Sequence, residues 1–435
     1  MAIDWQAARG EALDILVRYL QVPSVNPPGD EEPAARFLGE LMAREGVPVE
    51  YIETAPGRAC VVARLRGDGS KGALMLCNHL DVVPVEERHW SVPPFAGVVR
   101  DGFVYGRGAV DMKGIAVLQL MAFLLLARER VPLKRDLVFC GVPDEEAGGT
   151  YGMRWLCEHR PDIVDVACEL NEGALGATRL FDKPVKLLPI ATAEKTAAWM
   201  RLRVTGRPGH GSRPHRDNAA LHLVRALNRL ADWQRPLVVT PPAREYLRQL
   251  IAAGILPQET TDEMLPALLE EHPAVLAMFT NTLNITMLRA GTKVNVIPAE
   301  AEAAIDCRLL PGVDPEEWRQ QVIRVIDDPR IEVRFEDEEN VQGVPESPWE
   351  HELVQTIREV IAGAMEDAIV LPTMTVGGTD NRFLRQRGVP AYGFAPMLLT
   401  PEEAAGFHGN DERLSIANLE MGCELMYEIV RRFCA

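Results

Sequence analysis

The sequence predicts an α/β protein in which a mixed or largely parallel sheet is flanked by helices and interrupted by an inserted α+β lid. Three observations predict it. Over residues 1–189, short apolar runs alternate with helical segments, the pattern of strands buried under crossover helices. From about residue 190 the pattern changes to half-exposed alternating strands around one helix, and after 311 the first pattern resumes. A chain of 435 residues is also too long for one ordinary core. The simplest division is therefore one larger domain built from 1–189 and 312–435, with a lid inserted at 190–311.

The elements follow in order. "MAIDWQAARGEALDILVRYL" opens as an acidic amphipathic helix, without the basic and apolar regions of a signal peptide. "RACVVARLRG" is a strand. Leu74, Leu76 and Cys77 form a second, which ends at His79. "IAVLQLMAFLLLA", Ile115 to Ala127, is too short to span a bilayer and reads as a buried helix. "DLVFCGV" is a strand, a helix lies near 150–158, and "VDVACEL" is a strand. In the lid, "TAAWMRLRVTG", "NTLNITML" and "EAEAAIDCRLLPG" alternate as strands, and Leu223, Leu227 and Leu230 have helical spacing. The less regular interval 241–279, with a helical "REYLRQLIAAGI", reads as an insertion within the lid. "GVPAYGFAP" is a late buried strand.

A net charge of −17 argues against nucleic acid or an anionic membrane as partner and suits a soluble cytoplasmic protein. The eight cysteines form no C-x-x-C pair and read as buried reduced thiols.

Chemistry gathers where strands end. His79 and Asp81 in "HLD" stand two apart as the chain leaves the sheet, although such a triplet is common by chance. "VYGRGAVDMKG" delivers Asp111 just before the apolar helix. An ordinary N-cap explains an Asp there, but Gly106 and Gly108 permit a close backbone approach that a cap does not need. "GVPDEEAGG" sets Asp144, Glu145 and Glu146 directly after a strand, where open α/β sheets bind ligands. One of two adjacent Glu side chains can hold a cation while the other faces water. "CELNEGALG" offers Asn171 and Glu172, and "AGFHGNDERLS" places His408 in a glycine-flanked loop. Two imidazoles and several carboxylates suit a pair of borderline divalent cations such as zinc. Asp111 has two oxygens with which to bridge them, and Asp81 can accept the free ring N–H of His79.

Taken together, "HLDVVP", "GRGAVDMKG", "PDEEAGG", "GRPGHGS", "KVNVIPAEAEAAIDCRLLPG", "GGTDNRF" and "HGNDERLS" resemble the di-zinc hydrolase family of aminoacylases, glutamate carboxypeptidases, Gly-X carboxypeptidases and succinyl-diaminopimelate desuccinylases. "TDNRF" followed by "GVPAYGFAPM" is most similar to the aminoacylase and Gly-X carboxypeptidase branches. The resemblance implies a zinc-exopeptidase-like sheet with a dimerisation-type lid, a homodimer, and two Zn2+ per subunit, with Co2+ or Mn2+ as substitutes. It implies metal ligation by His79, Asp111, Glu146 and His408, with Asp111 bridging, Glu145 as general base and Asp81 as partner of His79. His210 would reach the active site, often across a dimer, and stabilise the oxyanion with help from Asn295. Arg308 or Arg382 would grip a substrate carboxylate beside Gly378 and Thr379. One position departs from the pattern. Asn171 stands where these branches usually carry Asp, so the remaining ligand is either its amide oxygen or the Glu172 carboxylate. The implied reaction is hydrolysis of an amide bond beside a free carboxylate, in a small peptide or an N-acyl amino acid. A biosynthetic deacetylase or desuccinylase is the alternative, and a non-catalytic metal-binding homologue is the reading from a different class.

Overall fold

Eight strands form the spine of the main sheet: β1 (Val49–Ala55), β2 (Arg58–Leu65), β3 (Leu74–His79), β4 (Leu137–Val142), β5 (Cys168–Leu180), β6 (Ile190–Glu194), β7 (Pro372–Thr375) and β8 (Ala391–Leu399). The structure is a computed structural model describing residues 3–338 and 341–435. The sheet order is β1-β2-β4-β3-β5-β8-β6-β7. The centre is parallel, since β3 pairs with β4 and β5, and β5 with β8, in the same direction. The β1 and β2 margin is antiparallel. Every residue of β3 and β4 is buried. That is why these strands read as continuous apolar runs without alternation.

The Lys113–Glu129 helix, buried from Lys113 to Leu126, lies in the core on one face with the helices Trp5–Leu20 and Ile416–Cys434. Cys60, Cys77, Cys140 and Cys157 pack with Met153, Leu156 and Ile163 in a separate core cluster. All eight cysteines are buried and unpaired, as expected. Among the described residues no helix is long and apolar enough to cross a membrane. A small sheet joins Val98–Arg100, Phe103–Tyr105 and Arg413–Ser415, and so draws the loop carrying Asp111 towards the one carrying His408.

The lid has its own sheet, with Thr196–Ala197, Glu300–Leu309, Met200–Thr205 and Ile331–Phe335 in that order and Thr282–Ala290 paired to Glu300–Leu309. The helices Ala219–Asp232 and Pro315–Ile326 cover it through Leu223, Leu227, Trp318 and Val322. Two features differ from the sequence reading. The lid sheet continues past 311, because Ile331, Val333 and Phe335 alternate inward and pair with Met200–Val204. A helix followed by a short strand looked like resumed α/β pattern, and only the pairing shows where it belongs. The interval 241–279 does not pack within the lid. Tyr246, Leu247, Leu250 and Phe279 share a core with Leu187, Ala193, Leu371 and Met374 at the β6–β7 edge of the main sheet.

Candidate metal centre and active-site cleft

His79 closes β3, and the Glu145–Ala147 turn begins three residues after β4 ends. The neighbouring parallel strands therefore release their chemistry on one side of the sheet. Asp111 stands between two imidazoles. Its Oδ1 lies 3.0 Å from His79 Nε2 and its Oδ2 lies 2.8 Å from His408 Nε2. Each oxygen thus serves a different histidine, the geometry a bridging carboxylate needs. Glu146 Oε1 is 3.3 Å from His408 Nε2, and Glu172 Oε1 is 3.5 Å from His79 Nε2. Ligand atoms of His79, Glu145 and Glu172 lie within 4.8 Å of one another, as do those of His79, Asp111 and Glu146.

The electrostatics agree with a cation-binding cluster. Burial, followed by repulsion from Asp111, pushes the Glu172 carboxyl well above the usual range. Burial does the same to Glu145 and, less strongly, to Glu146. Asp111 moves the other way, because hydrogen bonds from His408 and His79 outweigh its burial. Four carboxylates thus share two imidazoles, an excess of negative charge that a pair of divalent cations would neutralise. The imidazole and carboxylate donors, with Asp111 central, fit such a pair.

Asn171 and Glu172 separate clearly. The Asn171 side-chain oxygen accepts the Glu172 backbone N–H at 2.7 Å, whereas the Glu172 carboxylate turns towards His79. Asp81 sits differently from the sequence reading. The His79 Nδ1 is 2.9 Å from the Asp81 backbone carbonyl, and the Asp81 carboxylate stands off at 3.5 Å. That carboxylate instead accepts the backbone N–H groups of Glu145 at 3.2 Å and Glu146 at 3.0 Å. Asp81 therefore holds the acidic turn as well as the histidine.

Two supports escaped the sequence reading. Glu412 is buried and accepts hydrogen bonds from the backbone N–H groups of Gly108 (2.9 Å), Val110 (2.8 Å) and Asp111 (3.0 Å) and from Arg107 Nη1 (2.6 Å). It lies within "HGNDERLS", where its acid group was the available signal. Behind the acidic turn, Asp144 holds a left-handed backbone with φ 76° and pairs with Arg58, and both also bond to Asn26. Asn26 and Arg58 are remote in sequence and carried no signal.

The cluster opens into a cleft of about 1460 Å³, also lined by Arg308, Arg382, Gly378 and Thr379. The Arg308 guanidinium is forked onto Asp306 at 2.8 and 3.2 Å and lies over the Trp199 ring. Among the described residues Arg382 donates only to the backbone carbonyls of Gly148 and Thr379. Thr379 lines the cleft, but its Oγ1 and N–H are both committed to buried Glu194. His210 and Asn295 are brought beside each other, not to the cluster. Gly209–His210 pairs with Val296–Ile297, Gly211 N–H donates to Asn295 O at 2.8 Å, and neither His210 nor Asn295 lines the cleft of the single chain.

The model of peptidase family M20/M25/M40 matches residues 75–432, which spans β3 to the last helix and every residue of the cluster. The chain belongs to this family. Among curated M20-like relatives, it is 29% identical to aminoacylase-1 of Sus scrofa over 99% of this chain and 97% of that one. It is 30% identical to N-fatty-acyl-amino acid synthase/hydrolase PM20D1 of Mus musculus over 84% of this chain and 75% of that one. An M20 family metallo-carboxypeptidase, Sso-CP2 from Sulfolobus solfataricus, shares the fold with a TM-score of 0.75 at 19% identity, covering 97% of this chain and 99% of that one. This M20 chain is a metal-dependent hydrolase of amide or peptide bonds.

Proposed function

We propose that the protein hydrolyses the amide bond of an N-acyl amino acid or a short peptide beside a free carboxylate. The observation that carries this reading is Asp111 presenting one oxygen to each of two histidines in a cleft that also holds Glu145 and an arginine. His79 and Glu172 would hold one divalent cation and His408 and Glu146 the other, with Asp111 between them; Zn2+ fits the donors best, and Co2+ or Mn2+ can substitute. Glu172, not Asn171, is the ligand in this reading, because its carboxylate faces His79. Such cations, when bound there, would supply Lewis acidity and lower the pKa of a water.

The chain's own groups do the rest. Glu145 accepts the proton of the attacking water and passes it to the departing nitrogen. Its burial, which raises its proton affinity, suits a group that must carry that proton. Arg382, whose guanidinium bonds backbone carbonyls of Gly148 and Thr379, grips the substrate carboxylate. Names of relatives support the substrate class, since both an aminoacylase and an N-fatty-acyl-amino acid hydrolase align along most of the chain.

The same reading makes the protein a homodimer. Among the described residues the Thr282–Ala290 strand pairs on one side only, and Leu288 on it is 63% exposed. Val224, on the adjacent Ala219–Asp232 helix, is 61% exposed. An unpaired apolar edge of this kind calls for a partner. A second subunit docked there would bring His210 and Asn295 to a cleft they do not reach alone. Eight unpaired buried cysteines agree with a cytoplasmic setting.

The deciding experiment is a panel of dipeptides and N-acyl amino acids with wild type and Glu145→Gln, each with metal content measured. Wild type should hydrolyse part of the panel, and the variant should lose about 10²–10⁴-fold in kcat while keeping its metal. Equal rates for the two proteins would sink Glu145 as the base.

A further inference from the structure

The segment 241–279 interrupts the lid in sequence but is built onto the main sheet, and its far end reaches the cleft. Ala274 and Met278 line the cleft together with Leu175 of β5 and Met374 of β7. Met278 is buried, and its sulfur lies 3.8 Å from Thr373 Oγ1. Lys195 staples this wall in place. Its Nζ donates to the carbonyls of Ala277 at 3.1 Å and Thr280 at 2.9 Å and to Thr282 Oγ1 at 3.2 Å.

We infer that this wall is the acyl-chain pocket, and that Met278 and Ala274 set how long an apolar acyl group the enzyme accepts. The inference rests on the amide-hydrolase reading above. Two parts of the cleft lining differ in chemistry. Beside the acidic turn stands Arg382, which bonds the Gly148 carbonyl and suits a carboxylate. On the side of Glu172 and Leu175, Thr375 Oγ1 donates to the Gly173 carbonyl at 2.6 Å, and Thr373 and Met374 of the same strand join Met278 in the lining. The cations on that second side are already committed, Lys195 to its three oxygens and Arg308 to Asp306. An apolar substituent therefore belongs there. In an acylated amino acid, the group across the scissile bond from the carboxylate is the acyl chain. Methionine is an adaptable filler, so a flexible chain can be accommodated against it. Each methylene buried there is worth roughly fourfold in kcat/KM.

The test is kcat/KM for N-acyl-leucines from acetyl to dodecanoyl, beside a series of N-acetyl amino acids with side chains from alanine to phenylalanine. Wild type should prefer chains longer than acetyl. Met278→Ala should move the optimum to chains longer by two or more carbons. Ala274→Trp, at an exposed position that leaves the core untouched, should cost the long-chain substrates tenfold or more and leave N-acetyl-leucine within twofold. It also carries the test should Met278→Ala fail to fold. An active wild type whose acyl-length profile is unmoved by Ala274→Trp, or whose side-chain series moves instead, overturns the wall alone. A wild type inactive on both series but active on dipeptides overturns the wall alone, and one inactive on dipeptides as well overturns the hydrolase reading and the wall with it.

Discussion

Glu412 shows how much of this site depends on a residue that touches no reacting group. Its carboxylate gathers the backbone N–H groups of Gly108, Val110 and Asp111 and the Arg107 guanidinium, and so fixes where Asp111 stands between the histidines. Glu412→Gln exchanges one acceptor oxygen for an NH2 group that faces donors. Metal affinity, measured by competition with a chelator, should fall about 10–100-fold, while the far-ultraviolet spectrum stays native. Glu169 gives a pH prediction. Burial raises its carboxyl to about 8, against a smaller opposing effect of the Cys77 thiol. Between the unfolded value of 4.5 and about 8 the folded state binds the extra proton, so stability falls as pH rises through that window. Glu169→Gln should remove this loss. The variant's unfolding free energy relative to wild type, from denaturant titrations, should climb from pH 5 to pH 8 at up to about 1.4 kcal/mol per pH unit. An unchanging difference would show that Glu169 is not the group responsible. The histidines and most acids of the site were legible because strand ends and glycine loops expose them in sequence. Asn171 and Glu172 were not separable, because which of two adjacent strand residues faces the cleft depends on a phase that tertiary pairing sets. The Asp81 carboxylate bonds two N–H groups over sixty residues away, which no local spacing announces.

Among elements, the buried parallel strands were the easiest to read, since burial on both faces leaves an unbroken apolar run. The lid boundary was harder. Ile331–Phe335 has the same local pattern whether it joins one sheet or the other, and only its pairing with Met200–Val204 decides. The loop before the Lys113–Glu129 helix depends on Gly108, whose φ of 91° and whose absent Cβ, which would lie 2.9 Å from Val82 Cγ1, both exclude a side chain. Gly108→Ala should weaken metal binding by displacing Asp111. Strand β5 makes a comparable demand at Gly176, where a Cβ would meet the Met397 and Leu187 carbonyls at 2.1 and 2.7 Å. Gly176→Ala should cost about 1–3 kcal/mol in denaturant unfolding without altering the metal donors. A neutral result would mean that the β5–β8 pairing yields more easily than the packing indicates.

At the scale of the molecule, metal and assembly dominate the predictions. Stripping the cations leaves Asp111, Glu145, Glu146 and Glu172 to repel one another, so the apo protein should melt lower and recover as metal is added back. Leu288→Asp with Val224→Asp should give a monomer by light scattering, and its activity should fall if His210 serves the neighbouring cleft. A dimer unaffected by both charges would place the interface elsewhere. The two-unit plan was visible in composition and pattern, but the attachment of 241–279 to the main sheet was not, since it depends on contacts between segments far apart in sequence. That attachment changes the mechanics. A lid inserted by one excursion of the chain hangs on two covalent tethers and can swing about the line joining them. Here the chain returns to the main body midway, so four tethers hold the lid, and Lys195 clamps the third beside the first. Such a joint resists torsion, and opening it must bend the strands themselves. Solution scattering profiles recorded with and without a carboxylate product should therefore differ little.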